Sequence, residues 1–225
     1  MTHQQTSKKI ILYLFCFLIL SKFFNKNLSQ INFTKNINYE IFSNLQKFEN
    51  DKIIQNLQNL NEDTIFFLDK NNLSEIIYSN NLVDNFSIFK KYPSNLKINI
   101  KKASLLAITE KNGSYFYLGS NGNFIKVQNL NRSLPFVFGD IDIDEFLDFK
   151  KVLDQTNFDY REIKNLFFFK SKRWDIETHN GLIIKLPKKK LKSSLELLSK
   201  IYKKNIIHNI KMIDLRQNNL IVTRS

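Results

Sequence analysis

The chain divides by the spacing of its apolar residues. Ile10 to Leu20 (IILYLFCFLIL) runs eleven residues with no polar break, flanked by Lys8-Lys9 and Ser21-Lys22. Beyond it, short stretches switch between a period of two, which marks a half-buried strand, and a period of three to four, which marks an amphipathic helix. Ile37, Tyr39 and Ile41 alternate and predict a first strand within residues 31–42. Asn50-Asp51 is suited to cap a helix whose buried stripe is Ile53, Ile54, Leu57 and Leu60. Thr64 to Leu68 is a short apolar run, and Leu73, Ile76 and Ile77 predict a second, shorter helix. Phe86 and Ile88 alternate up to Tyr92-Pro93, where proline breaks the strand into a turn. From Asn95 to Lys102, Leu96, Ile98 and Ile100 face one way while Asn95, Lys97, Asn99 and Lys101 face the other. The order over residues 31–102 is therefore β-α-α-β-β.

The remainder is richer in strands. Ser114–Leu118 and Phe124–Val127 flank Gly119-Ser120-Asn121-Gly122, a good hairpin connection. Phe146, Phe149 and Leu153 stripe a helix over Ile143 to Leu153. Strands follow at Leu166–Phe169, Arg173–Glu177 and Leu182–Leu186, the last two joined through His179-Asn180-Gly181. Pro187 introduces a helix with Leu191, Leu195, Leu198 and Tyr202 on one face. Ile210–Leu215 and Leu220–Thr223 form a closing hairpin across Gln217-Asn218-Asn219. The fold class is α+β, with the second half a mixed, mainly antiparallel β domain carrying flanking helices.

The amino-terminal run bears on compartment. A bilayer core needs about 20 helical residues. Extending the run to Phe24 gives fifteen, roughly 22 Å of helix, with Lys9, Lys22 and Lys26 placed to snorkel. No pair of small residues follows it at the spacing a signal peptidase requires. An uncleaved signal anchor over residues 10–24 is the preferred reading, with a cleaved signal peptide and a buried helix as the alternatives. The first two place the bulk of the protein outside the cytoplasm. Residues 1–9 then form a cytoplasmic tail and residues 25–30 a juxtamembrane linker.

Composition sharpens this picture mainly by exclusion. Across 225 residues, 43% are hydrophobic and 21 are Phe, which rules out a wholly disordered chain. The formal net charge of +13 is spread along the chain, alongside heavy use of Lys, Asn and Ile, and does not point to nucleic acid. The single cysteine, Cys16, lies inside the apolar run and can close no intramolecular disulfide. No phosphate-binding loop, dinucleotide fingerprint, zincin motif or nucleophile elbow is present. His179 and His208 read as turn and helix-end residues rather than a metal pair. The acidic cluster Asp140, Asp142, Asp144, Glu145 and Asp148 fails the calcium-loop pattern at Glu145 and Lys151, and instead complements the start of a helix. Lys188-Lys189-Lys190 with Lys192 reads as a solvated helix face. No catalytic set, cofactor, small-molecule substrate or metal is expected.

Two groups of residues resemble known modules. Asn61 to Asp69, the second short helix and Phe86 to Ile100, which includes Lys91-Tyr92-Pro93-Ser94-Asn95-Leu96-Lys97-Ile98, together resemble a POTRA domain. Downstream, Arg173-Trp174-Asp175-Ile176, Asn180-Gly181-Leu182-Ile183-Ile184-Lys185-Leu186-Pro187 and Ile213-Asp214-Leu215-Arg216 resemble the β domain of the FtsQ/DivIB cell division proteins, in that family's order. The resemblance implies a POTRA domain over residues 31–102 and a β domain over 103–225. It further implies a single-pass inner-membrane protein of the division septum, with a cytoplasmic amino terminus and a periplasmic carboxy terminus. Such a protein would be a non-enzymatic scaffold linking early and late septal proteins and helping to control septal peptidoglycan synthesis. Its partners would be FtsB/FtsL-type bitopic proteins, with other divisome proteins engaging the POTRA domain. A POTRA-bearing secretion or assembly component is the alternative, and an exported cell-wall hydrolase a more distant one.

The expected partner site is the terminal strand: Leu220, Ile221, Val222, Thr223 and Arg224. Leu220 and Val222 fall on one face, Ile221 and Thr223 on the other, and no proline interrupts the segment. No later segment is available to cover its outer side, and only Arg224 guards it, so it offers an edge for strand addition. In the family it resembles, the carboxy-terminal edge of the β domain is where the coiled-coil partner docks.

Overall fold

The computed structural model describes residues 10, 12–22, 37–60, 65–127, 133–203, 210–217 and 221–224. The expected cytoplasmic tail, the linker at 25–30, residues 31–36 of the first strand, Asn61 to Thr64, His208, Asn218, Asn219 and Leu220 lie outside these.

Residues 12–22 form a helix, α1, whose large apolar side chains are all exposed. Among the described residues, no helix is long and apolar enough to cross a membrane.

Two sheets follow. The first has three strands, β1 (Asn38–Ser43), β2 (Val83–Lys91) and β3 (Asn95–Lys102), in the order β1-β3-β2. β1 runs parallel to β3, and β2 antiparallel to it. A parallel neighbour cannot be reached by a tight turn, and the connection here runs through α2 (Lys47–Gln58), α3 (Lys70–Tyr78) and β2. Leu96, Ile98 and Ile100 of β3 are buried against Ile53 and Leu57 of α2 and Leu73 and Ile77 of α3. The alternation read from the sequence is thus the alternation of the fold. The start of α2 is not. Asn50-Asp51 lies inside the helix, which begins four residues earlier behind Gln46. The Glu49 carboxylate accepts from the Gln46 N–H at 2.9 Å, satisfying a donor the helix leaves unpaired, while Asn50 accepts from the Ser43 hydroxyl.

The second sheet has nine strands among the described residues: β4 (Leu105–Lys111), β5 (Ser114–Gly119), β6 (Phe124–Lys126), β7 (Phe136–Phe138), β8 (Ile163–Phe169), β9 (Arg173–Thr178), β10 (Ile183–Lys185), β11 (Met212–Asp214) and β12 (Val222–Arg224). Their order is β12-β11-β10-β9-β8-β7-β4-β5-β6. Helix α4 (Ile143–Asp154) carries the chain from β7 to its parallel neighbour β8, and α5 (Leu191–Lys203) carries it from β10 to parallel β11. Both helices pack on the same face. Phe146, Phe149 and Leu153 of α4 and Leu195 and Leu198 of α5 are buried there, as their stripes require. Trp174 of β9 lies beneath them, stacked on Phe149 and tilted against Phe168, each at 4.7 Å between ring centroids.

β4 and β7 are absent from the pattern-based reading, and the reason is burial. β4 sits between two neighbours with Ala107, Ile108 and Thr109 buried in succession, so it has no polar alternation to reveal it. β7 has only three residues. The Lys188–Lys190 run also differs from expectation. It is exposed but precedes α5 rather than lying on the helix, and only Lys192 is helical.

Candidate functional site

The expected partner segment is built outward from the core. One row of side chains crosses the helix-covered face in register: Val137, Leu166, Ile176, Ile184 and Ile213, each fully or almost fully buried. Thr223 of β12 is the next position in that row. On the opposite face a second row runs Phe138, Phe167, Asp175, Lys185, Asp214 and Val222. It begins with two stacked rings, whose centroids lie 5.2 Å apart, and continues through charges of alternating sign to Val222 at the edge.

β12 pairs with β11 on one side only. Met212 opposes Arg224, Ile213 opposes Thr223 and Asp214 opposes Val222. The Lys211 N–H donates to the Arg224 carbonyl at 2.7 Å. Among the described residues no strand lies beyond β12, and residues 221–224 are exposed. The structure therefore brings Ile221, Val222, Thr223 and Arg224 together at a sheet edge; Leu220 lies outside the described residues.

The strand beneath the edge is stiffened by an ion pair. Arg216 donates to both carboxylate oxygens of Asp214, with Nε at 2.8 and 2.9 Å, and its N–H donates to Oδ1 at 3.0 Å. These hydrogen bonds hold the Asp214 carboxyl below the usual carboxylate range, against the opposing effect of partial burial, and the ammonium of Lys185 acts in the same direction. Asp175, buried in the same row, accepts from Arg173 Nε at 3.2 Å. In the sequence, Asp214 and Arg216 stand only as part of the Ile213-Asp214-Leu215-Arg216 motif, which does not reveal this pairing. Arg216 follows β11, two residues past Asp214, so the close spacing of an acidic and a basic residue at the strand's end is the signal the sequence offers.

The other candidates fall into structural roles. Asp142 caps α4, accepting from the Asp144 N–H at 3.1 Å, and Asp144 and Glu145 occupy its first turn. Glu145 also pairs with Lys172. His179 lies in the β9–β10 turn, where its N–H donates to the Glu162 carbonyl at 3.0 Å.

Comparison with known proteins covers both sheets. The family described as POTRA domain, FtsQ-type, matches residues 35–102, and that described as cell division protein FtsQ/DivIB, C-terminal, matches residues 107–216. The chain belongs to the FtsQ/DivIB family of cell division proteins.

Cell division protein FtsQ of Bradyrhizobium diazoefficiens is 24% identical over 160 residues, covering 68% of this chain and 46% of that protein. Cell division protein DivIB of Clostridium tetani is 26% identical over 145 residues, covering 64% of this chain and 51% of that protein. The chain thus spans about half the length of the curated relatives it matches. The major extracytoplasmic domain of DivIB from Geobacillus stearothermophilus aligns with a TM-score of 0.35 at 13% identity, over 49% of this chain and 98% of that domain. The FtsQ-type POTRA match falls on the three-stranded sheet and its helices, and the FtsQ/DivIB match on the nine-stranded sheet. The latter ends at Arg216, so the exposed strand β12 lies beyond it.

Proposed function

We propose that this FtsQ/DivIB protein is a non-enzymatic, single-pass scaffold of the division septum that captures a bitopic partner of the FtsB/FtsL type by strand addition at Leu220–Arg224. The open side of β12 is the observation that carries this reading. An edge with unpaired backbone groups offers affinity through the main chain and selectivity through alternate side chains. Ile221 and Thr223 would present one face of the added strand's neighbour, and Val222 and Arg224 the other. Anchoring would come from residues 10–24, with the amino terminus cytoplasmic and both sheets periplasmic. The exposed apolar surface of α1 supports that role, since water is a poor solvent for such a helix. Snorkelling lysines and local thinning of the bilayer would accommodate its shortness. Other divisome proteins would engage the POTRA domain, and the assembled scaffold would help to control septal peptidoglycan synthesis.

A photo-crosslinking residue at Val222, in cells expressing the protein with a fluorescent amino-terminal tag, tests this. A mid-cell band and a crosslink to a small single-pass protein are expected. An even envelope signal, or crosslinks obtained only from positions on the POTRA domain, would overturn it.

A further inference from the structure

The hairpin Gly119-Ser120-Asn121-Gly122 does more than turn the chain. It lies at one end of the nine-stranded sheet, and its tip reaches the loop that leads into β2 of the POTRA domain. The Asn121 carboxamide oxygen accepts from the Asn123 N–H within the turn, at 3.3 Å. That fixes which way the amide faces and leaves both hydrogens of Nδ2 for other acceptors. They go to the carbonyls of Asn81, at 2.9 Å, and Val83, at 2.8 Å. The carbonyl between them, that of Leu82, accepts from the Ala103 N–H at 2.8 Å. Three consecutive carbonyls of the POTRA domain are thus all taken by groups beyond it.

The connecting residues are held in the same way. The Ser104 N–H donates to the Ser120 hydroxyl and the Ser120 N–H donates to the Ser104 carbonyl, each at 2.9 Å. Leu82 packs both on the POTRA core and on the small cluster of Ile108, Tyr117 and Ile125 in the large sheet. Gly119 is needed for the close fit. A Cβ there would lie 2.5 Å from Asn121 Oδ1 and 2.9 Å from the Ile125 side chain.

The geometry points to the β5–β6 hairpin as a clasp, with Asn121 as the positioning residue that locks the POTRA domain in one orientation on the β domain. Domains joined by a short connection and a modest contact otherwise move relative to one another. Only a side chain with two donors and an acceptor at this length closes all three bonds. Aspartate keeps the acceptor and loses both donors, and its charge then faces two carbonyl oxygens. Locking matters because the free edges of β2 and β12 belong to different sheets, so their separation is fixed only if the sheets are.

The test uses the full chain in lipid nanodiscs, with Cys16→Ser and spin labels on Glu75→Cys of α3 and Asp148→Cys of α4, both exposed. Dipolar distance measurements should give one narrow distance in the parent. Loss of that narrow distance is expected in Asn121→Ala, Asn121→Asp and Gly119→Ala. Asn121→Asp retains the turn's own acceptor, so it decides the matter where the alanine variant misfolds. Far-UV circular dichroism of native shape should accompany the change. A narrow, unshifted distance in natively folded Asn121→Asp would overturn the proposal.

Discussion

Ile213 and Thr223 stand directly opposite each other in the last ladder of the large sheet, yet the first is fully buried and the second exposed. The hydrophobic core ends between them. Ile213→Ala should therefore cost about 2–5 kcal/mol, the usual penalty for emptying a core site. Thr223→Ala should stay within about 0.5 kcal/mol, as surface changes do. Urea unfolding of the two variants measures both, and equal costs would mean that β12 belongs to the core.

Ile221→Pro separates binding from folding. Ile221 lies just ahead of the residues that pair with β11. Proline removes a donor at the edge, a place where sheets tolerate it. Partner capture in a pull-down should be abolished while the thermal midpoint remains native. Capture that survives with native stability would place the docking site elsewhere.

In the POTRA domain, Ile98 is fully buried and paired on either side with Ile41 and Ile88. Ile98→Ala should cost about 2–5 kcal/mol in chemical denaturation. A loss under about 0.5 kcal/mol is the behaviour of an exposed position and would invert the register described here.

These sites differ in how plainly the sequence announces them. β3, α4 and α5 are legible because each has one buried and one wet face, so composition tracks geometry residue by residue. β4 is hidden because it is covered on both faces, and the true start of α2 because glutamine at position 46 is an uncommon cap, recognisable only with Glu49. The clasp is illegible for another reason. Gly-Ser-Asn-Gly reads as a turn whatever its tip touches, and the carbonyls it holds come from positions 81 and 83, far away in the chain.

The Asp214–Arg216 pair makes stability depend on pH in a defined direction. Arg216 depresses the folded-state pKa of Asp214, so its contribution is present above the unfolded-state value. It fades as pH falls from that value through the lower folded-state one. The stability difference between the protein and Asp214→Asn should be present at neutral pH and close in acid. Denaturation curves across that range measure it, and a gap that persists in strong acid would show that the asparagine acts by some other route.

From β7 to β12 the large sheet adds its strands in the order in which they occur in the chain, each beside the one before. Ribosomes deliver a polypeptide amino terminus first, so every newly emerging strand finds its template already laid down. Assembly can proceed as a single advancing front, with α4 and α5 folding over it as they arrive. The exposed edge at residues 221–224 then exists only after six strands have been set in place. Any molecule stalled or cleaved earlier ends in a different strand, with different side chains on its rim. A protein that recognises β12 would therefore meet this rim only once β7 to β11 are paired.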